Sequence, residues 1–261
     1  MAVSQSEKGE RFRLLHHGAP FVIGNAWDGG SARVLAATGF VALATSSGAS
    51  AAVLGRRDGE LTREQALAQA ENIVRATELP VSADLESGFG AEPAVVMETI
   101  RLASEVGLVG GSIEDATRDP ERPIFDFALA VERVAAAVEA ARSLAVPFVL
   151  TARSENFLCG RPDLDDTIRR LQAFERVGAE VLFAPGLPDL QAVRAVCAAV
   201  TKPVNFMVGL RGQPFTFAEL SAAGVSRISL GGVLYREAMS ALRKVATEIQ
   251  GEGTFTFLDR A

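Results

Sequence analysis

The segment that decides the fold is "AVERVAAAVEAARSLAVPFVLTAR" (130–153), in which an amphipathic stretch runs directly into a short apolar one. Residues 130–144 repeat apolar side chains at the three- and four-residue spacing of a helix. Residues 146–153 are rich in Val, Phe and Leu, as expected of a buried strand. The segment therefore predicts a helix leading into a strand whose two faces are both covered.

The same alternation occupies almost all of the 261 residues. Each of eight short apolar runs is followed by a predicted helix, and the predicted strands cover residues 20–26, 40–47, 79–85, 109–115, 146–153, 179–185, 202–208 and 226–232. Repeated strand–helix units predict a parallel sheet with crossover helices. Eight units in a chain of this length favour a closed (β/α)8 TIM barrel, formed as one domain by residues 1–261.

The alternative is an open, doubly wound sheet. Such a sheet usually carries a glycine-rich nucleotide-binding turn after its first strand. Here that position reads "NAWDGGS" (25–31), which is a poor match. The barrel is therefore the preferred prediction.

Composition argues against several classes of protein. The formal net charge is −6, so the chain lacks the basic surface of a nucleic-acid-binding protein. No apolar run is long enough to span a membrane, and the first residues do not resemble a signal peptide. Two cysteines, Cys159 and Cys197, do not make a disulfide framework. We expect a cytoplasmic protein without nucleic-acid or membrane partners.

Polar residues cluster where the predicted strands end, which is where barrel enzymes place their active sites. In chain order these residues are Asn25, Trp27, Asp28, Thr45, Ser46, Ser47, Gly48, Asp58, Asp84, Glu86, Glu114, Asp115, Arg153, Ser154, Glu155 and Asn205. They predict a polar site at the carboxyl ends of the strands.

The acidic members of this set suggest a metal. Side chains alternate along a strand, so if Asp84 faces the barrel interior, Glu86 does too. Glu114 from the next strand and Asp58 from the preceding loop would join them. Four unpaired carboxylates repel one another, and a hard divalent cation relieves the repulsion. The pattern predicts Mg2+ at these residues, with Mn2+ as a possible substitute.

Arg153 is the obvious cation among these strand ends, and a guanidinium beside a metal is suited to binding a carboxylate or an enolate oxygen. The "TSSG" turn (45–48) offers backbone N–H groups as a further anion site. Together they predict a small anionic substrate such as a 2-oxo acid. Plainer interpretations stay open: the acids could cap helices, and Arg153 could neutralise a structural carboxylate. Trp27 could cover the mouth of the barrel or simply pack.

Six motifs in order resemble the isocitrate lyase/phosphoenolpyruvate mutase superfamily. They are "NAWD" (25–28), "LGRRDG" (54–59), "ADLESGFG" (83–90), "GGSIEDA" (110–116), "LTARSENF" (150–157) and "PVNFMV" (203–208). The resemblance covers nearly the whole chain, and the ordered set is more specific than any one motif.

The resemblance implies a barrel whose last helix and tail, about residues 234–261, are exchanged with a partner subunit in a homodimer or homotetramer. It implies Mg2+ near Asp84, with Asp58, Glu86 and Glu114 acting largely through bound waters. It implies that Ser46, Ser47 and Gly48 bind the substrate carboxylate, with Arg153 on the oxyanion side. Trp27, Asp84 and Asn205 complete the expected substrate-binding residues. The implied catalytic residues are Arg153, Asp58 and Glu114.

Three departures from the family pattern bear on the reaction. Isocitrate and methylisocitrate lyases carry "KKCGH" in the loop after strand 4, whereas this loop reads "EDATRDPERPIFD" (114–126) and lacks the proton-donating Cys. Glu86 stands where Asp is more usual, and "RSENF" (153–157) replaces the more usual Arg-Thr-Asp.

The sequence therefore predicts a Mg2+-dependent lyase that cleaves a C–C bond of a small 2-oxo or 2-hydroxy (di)carboxylate through an enolate, like oxaloacetate decarboxylase or methylisocitrate lyase. One alternative is a phosphonopyruvate hydrolase or phosphoenolpyruvate mutase acting on a P–C bond. Another is a 2-oxo acid binder without turnover.

Overall fold

A computed structural model describes residues 3–210 and 214–260, so the predicted domain of residues 1–261 extends slightly beyond the described part. Eight parallel strands close into a barrel in the order β1 to β8. The strands are β1 (Phe21–Asn25), β2 (Leu43–Ala44), β3 (Val81–Asp84), β4 (Gly110–Glu114), β5 (Val149–Arg153), β6 (Val181–Phe183), β7 (Val204–Met207) and β8 (Arg227–Ser229). The predicted (β/α)8 barrel is confirmed.

Closure is made by β1 and β8, which pair in parallel with Phe21 opposite Arg227. Every other strand pairs in parallel with its neighbour in the sequence. Because all strands run the same way, their carboxyl ends open at a single mouth.

Helices surround the sheet, and one of them closes the end of the barrel where the strands begin. They are α1 (Gln5–Leu15), α2 (Gly29–Ala37), α3 (Ser47–Val53), α4 (Arg63–Arg75), α5 (Pro93–Glu105), α6 (Phe127–Ser143), α7 (Leu164–Val177), α8 (Leu190–Ala199), α9 (Phe217–Ala222) and α10 (Val233–Glu252). A 3-10 turn, Thr256–Arg260, follows α10.

The core has two parts. A larger cluster fills the space between helices and sheet, and a smaller cluster inside the barrel includes Phe12, Ile23 and Val149. Phe12 comes from α1 and is fully buried. A Cβ on Gly110 would lie 2.7 Å from the Phe12 ring, so only glycine lets α1 close the amino-terminal end of the barrel.

One strand and one helix depart from the predictions. The second strand, predicted at 40–47, covers only Leu43–Ala44. It ends early because Ser46 caps α3, its hydroxyl accepting a hydrogen bond from the N–H of Ala49. Helix α1 was not predicted, although Ser4 and Glu7 form a capping box at its start.

The last helix, α10, differs from the others in its exposure. None of the 20 residues of α10 is buried, and Leu242 is 59% exposed. A helix with an apolar face that its own chain does not cover needs another surface to bury it. No helix in the described part of the chain is both long and apolar enough to cross a membrane.

Candidate active site

A cavity of about 460 Å3 opens at the carboxyl ends of the strands. Of the ten residues expected to bind substrate or metal or to act in catalysis, its wall includes seven: Ser46, Ser47, Gly48, Asp58, Asp84, Arg153 and Asn205. Trp27, Glu86 and Glu114 lie outside this wall. A larger cavity of about 750 Å3, beside the loop after β4, contains none of the predicted site residues. The mouth of the barrel is therefore the candidate active site.

Arg153 is the centre of the charged groups in this site. Its Nη1 lies 2.8 Å from Oδ1 of Asp84 and 3.0 Å from Oε2 of Glu114, while its Nη2 lies 2.9 Å from Oε1 of Glu155. Burial disfavours the charged guanidinium, but the neighbouring carboxylates outweigh it and hold the pKa of Arg153 above its ordinary value. One positive charge thus faces three acidic groups.

This excess of acid affects protonation. Burial raises the pKa of Glu114 to about 8, with Glu155 and Asp84 adding to the rise and Arg153 opposing it. Burial also raises the pKa of Glu155. A buried acid beside other acids holds a proton unless a further positive charge approaches.

Asp84 is held at the end of β3 by backbone donors. Its Oδ2 accepts from the N–H of Ser47 at 3.2 Å, and its Oδ1 accepts from the N–H of Glu86 at 3.2 Å. The Asp84 N–H donates to Oγ1 of Thr45. These contacts tie the carboxylate to the first turn of α3.

Asp58 reaches the same wall from the loop between α3 and α4. A Cβ built on Gly48 would lie 3.3 Å from Oδ2 of Asp58, so Gly48 leaves room for this carboxylate. Asp58 and Asp84 are the two predicted metal-site acids that line the cavity.

Glu86 corrects one expectation. Strand β3 ends at Asp84, and Glu86 has a φ of 51°, so the side-chain alternation of a strand does not extend to it. Its buried carboxylate forms an ion pair with Arg118, which also donates to the carbonyl oxygen of Gly59. The alternation expected from a strand therefore does not place Glu86 beside Asp84, and Glu86 does not line the mouth cavity.

Trp27 and Asn205 take different positions at the site. Trp27 packs edge-on against Tyr235, with ring centroids 5.6 Å apart, and Tyr235 lines the cavity. Asn205 is buried in the wall; its Oδ1 accepts from Nε of Arg227 and its Nδ2 donates to Oγ of Ser229. Trp27 therefore contacts the rim, whereas Asn205 belongs to a polar network in the floor.

Glu155 was placed at the end of strand 5 without a role, and three further residues of the site were not assigned from the sequence. Glu155 follows Arg153 in "RSENF" and is buried beside it. Arg227, Tyr235 and Arg236 line the cavity from β8 and the start of α10. An arginine inside the predicted apolar run 226–232 was the available signal for Arg227.

The fit of a metal follows from the donor set. Within residues 3–210 and 214–260, no three Asp, Glu, His or Cys side chains come together as direct metal ligands. Mg2+ keeps several waters and is often bound by one or two carboxylates. Asp84, with Asp58 nearby and an excess of acid around Arg153, fits a hydrated Mg2+ rather than a metal enclosed by protein ligands.

Fold and site together define a (β/α)8 barrel protein with an acidic polar mouth. The phosphoenolpyruvate phosphomutase family model matches residues 12–250, and the chain belongs to this family. The resemblance inferred from the six motifs is confirmed.

Relatives with named activities include carbon–carbon lyases. A 2-methylisocitrate lyase of Halalkalibacterium halodurans is 28% identical over 96% of this chain and 85% of its own length. Oxaloacetate decarboxylase 2 of Pseudomonas fluorescens is 30% identical over 81% of this chain and 73% of its own length. The prediction of an enzyme is confirmed at the level of the family.

Solved structures agree on the fold. A Burkholderia cenocepacia protein, assigned only to the lyases or mutases, is 52% identical with a TM-score of 0.96, over 98% of this chain and 92% of that one. A phosphonopyruvate hydrolase solved with oxalate and Mg2+ is 22% identical with a TM-score of 0.86, over 94% and 88% of the two chains. The second likeness shows a shared fold.

Proposed function

We propose that this protein is a Mg2+-dependent lyase that cleaves a C–C bond of a small 2-oxo or 2-hydroxy dicarboxylate. The observation that carries the proposal is the position of Arg153. Its side chain is only 11% exposed, and its charged guanidinium is held among Asp84, Glu114 and Glu155 at the cavity wall. A preorganised cation there stabilises an oxygen that gains negative charge during bond cleavage.

Asp84 would hold Mg2+, and Asp58 and Glu114 would bind its waters. When bound, the metal would supply a Lewis acid for the substrate's carboxylate and adjacent oxygen. The first turn of α3, with Ser46, Ser47 and Gly48, would orient the substrate carboxylate. Arg153 would stabilise the developing enolate oxygen, and Asn205 would contact the substrate from the floor.

Proton transfer distinguishes the possible reactions. A retro-aldol cleavage needs an acid for the departing carbanion. The loop after β4 carries no Cys, Lys or His in that role. Loss of CO2 from a 2-oxo dicarboxylate does not need an acid from the protein, because the resulting enolate can take its proton from water. The named relatives include both a decarboxylase and a methylisocitrate lyase. Because the loop after β4 lacks a proton donor, the decarboxylase type of reaction is favoured.

Cleavage of a P–C bond is less well supported. The cations of the loop after β4 are Arg118 and Arg122, and neither lines the mouth cavity. Arg118 pairs with Glu86, and Arg122 lies 3.5 Å from Asp119. A phosphoryl group in the mouth would therefore meet no cation from this loop in the described conformation.

A homo-oligomer formed by exchange of α10 is part of this proposal. The support is the uncovered apolar face of α10, together with exposed Phe255 and Leu258 in the tail. Exchange would bury these side chains against a second copy of the chain. Cys159 and Cys197 are both free thiols, which supports a reducing, cytoplasmic location.

Pyruvate and glyoxylate release, with Mg2+ or with EDTA, tests the function. The substrates would be oxaloacetate, 2-methylisocitrate, isocitrate, 2,3-dimethylmalate and phosphonopyruvate. We expect turnover of a dicarboxylate that EDTA and Asp84→Asn abolish, while Asp165→Asn, a change on the outer helix α7, has no effect. Mg2+-dependent oxalate binding without any turnover would instead indicate a binding protein. Absence of both would overturn the assigned site.

A further inference from the structure

The mouth cavity is acidic on one side and basic on the other. Asp58 and Asp84 line it from the β2 and β3 side, and Glu114 and Glu155 lie behind Arg153. Besides Arg153, the cations in the wall are Arg227 on β8 and Arg236 in the first turn of α10. Neither of these two forms an ion pair with a carboxylate of residues 3–210 or 214–260; their hydrogen bonds go to neutral groups.

Arg227 supplies a fixed charge in the floor. It is buried, and it contacts Asn205, the ring of His16 and the hydroxyl of Thr151. Burial lowers its pKa to about 9. A buried guanidinium without a counter-ion is costly, and an anion in the cavity above it would reduce that cost.

Arg236 is placed to contact a ligand directly. Its Nη2 donates to the carbonyl oxygen of Gly209 at 3.0 Å. Its Nη1 lies 3.3 Å from the position of a Cβ on Gly232, and the same position is 3.9 Å from Oγ of Ser46. The absence of a side chain at Gly232 therefore leaves open space between the guanidinium and the start of α3. A guanidinium has five N–H donors, and within residues 3–210 and 214–260 the Gly209 carbonyl is the acceptor found for Arg236, which leaves its other donors for a ligand.

We propose that Arg236 binds the second acid group of the substrate and thereby selects dicarboxylates over monocarboxylates. This inference rests on the proposed function, in which the 2-oxo acid end lies at Asp84 and Arg153. A dicarboxylate then spans the cavity from its acidic side to its basic side. The second carboxylate matches the planar fork of Arg236, which pairs with no carboxylate in the described part of the chain.

The test compares ligands that share a 2-oxo acid end and differ in the second carboxylate. Calorimetry with Mg2+ would measure affinities for pyruvate, 2-oxoglutarate and 3,3-difluorooxaloacetate, with oxalate as a short probe. We expect the unmodified protein to prefer at least one of the two dicarboxylates to pyruvate. Arg236→Gln should weaken binding of the preferred dicarboxylate about tenfold or more, the usual effect of losing a charged hydrogen bond. Oxalate and pyruvate should bind as before.

Two further variants separate binding from structure. Arg236→Lys keeps the charge and should retain part of the preference. Arg11→Gln removes an exposed arginine from α1, at the opposite end of the barrel, and should leave all affinities unchanged. An equal loss for pyruvate and dicarboxylates in Arg236→Gln would indicate that Arg236 only supports Gly209, and would overturn the proposal. An unchanged preference would overturn it as well.

The outcome also separates this proposal from the proposed function. If the unmodified protein binds oxalate and pyruvate with Mg2+ but does not prefer either dicarboxylate, only the role of Arg236 fails. If it binds none of these ligands, both proposals fail.

Discussion

Nη1 of Arg153 donates to Oδ1 of Asp84 over 2.8 Å, although the two residues lie on β5 and β3, with β4 between them. Glu114 at the end of β4 completes the contact at 3.0 Å. Three successive strand ends thus direct one cation and two acids to the same point. The arrangement follows from the parallel pairing of β3, β4 and β5, which places their carboxyl ends side by side at the mouth of the barrel.

Replacing Arg153 with Lys should reduce turnover about 100-fold, the usual cost of losing one stabilising donor for a developing oxyanion. Lysine keeps the charge but has no planar fork to contact Asp84, Glu114 and Glu155 together. Steady-state kinetics on the preferred substrate would measure the effect. Arg169→Lys, at an exposed position of α7, should behave like the unmodified protein. Equal activity of Arg153→Lys and the control would contradict the assigned role.

Asp115→Asn should lower the free energy of unfolding by about 3 kcal/mol, because it removes one partner of a buried ion pair. Asp115 accepts from Arg170 at 3.1 Å and from the N–H of Glu155 at 2.7 Å, and it is 2% exposed. Urea unfolding would measure the loss. Asp119→Asn in the loop after β4 should change stability by less than about 0.5 kcal/mol. A cost below 1 kcal/mol for Asp115→Asn would show that the pair contributes little.

His16 makes stability depend on pH in a predictable direction. Burial and the neighbouring Arg227 lower its pKa to about 3, and its ring lies 3.1 Å from Nη1 of Arg227. The unfolded chain takes up a proton near pH 6.5 whereas the folded one does not, so stability falls as the pH drops below 6.5 toward 3.

His16→Gln should therefore cost about 1 to 3 kcal/mol at pH 7 through the lost hydrogen bonds, and less at pH 5, where the unmodified protein has lost about 2 kcal/mol of this contribution. Urea unfolding at the two pH values would show whether the difference in the free energy of unfolding between His16→Gln and the unmodified protein is smaller at pH 5. His17→Gln, at an exposed position, should keep the pH dependence of the unmodified protein. A constant difference between His16→Gln and the unmodified protein would mean that His16 titrates normally.

Leu242→Glu should convert an oligomer to smaller species. Leu242 is 59% exposed on α10, and a charge there would be buried if a second subunit covers the apolar face. Sedimentation velocity at several protein concentrations would give the mass. Ser240→Glu places the same charge at an exposed polar position of the same helix and should leave the assembly intact. A monomeric unmodified protein would rule out exchange of α10.

Periodicity was sufficient for the architecture. Strand-helix units carry a local signal, since a strand covered on both faces must be apolar throughout and a surrounding helix must be apolar on one face. The predicted positions of seven strands agree closely with those observed. The second strand ends earlier than predicted because Ser46 caps α3, its hydroxyl accepting a hydrogen bond from the N–H of Ala49.

Some residues of the site could also be predicted from their positions in the sequence. Strand ends of a parallel barrel meet at one mouth whatever the side chains are, so Asp84, Arg153 and Asn205 could be assigned to it from their positions alone. Alternation of side chains failed for Glu86, because the backbone turns into the left-handed region immediately after β3. A left-handed non-glycine residue leaves no reliable mark in the sequence.

Pairing partners, by contrast, depend on distance in three dimensions. The sequence indicated an acidic mouth with one arginine, and a family in which such a mouth binds Mg2+. Folding determined that Arg153 lies among three acids and that Arg118 pairs with Glu86. It also determined that Arg227 and Arg236 line the cavity without an ion pair to any carboxylate of the described residues. Charge interactions fall with distance and depend on burial, and the closure of the barrel sets both for residues far apart in the chain.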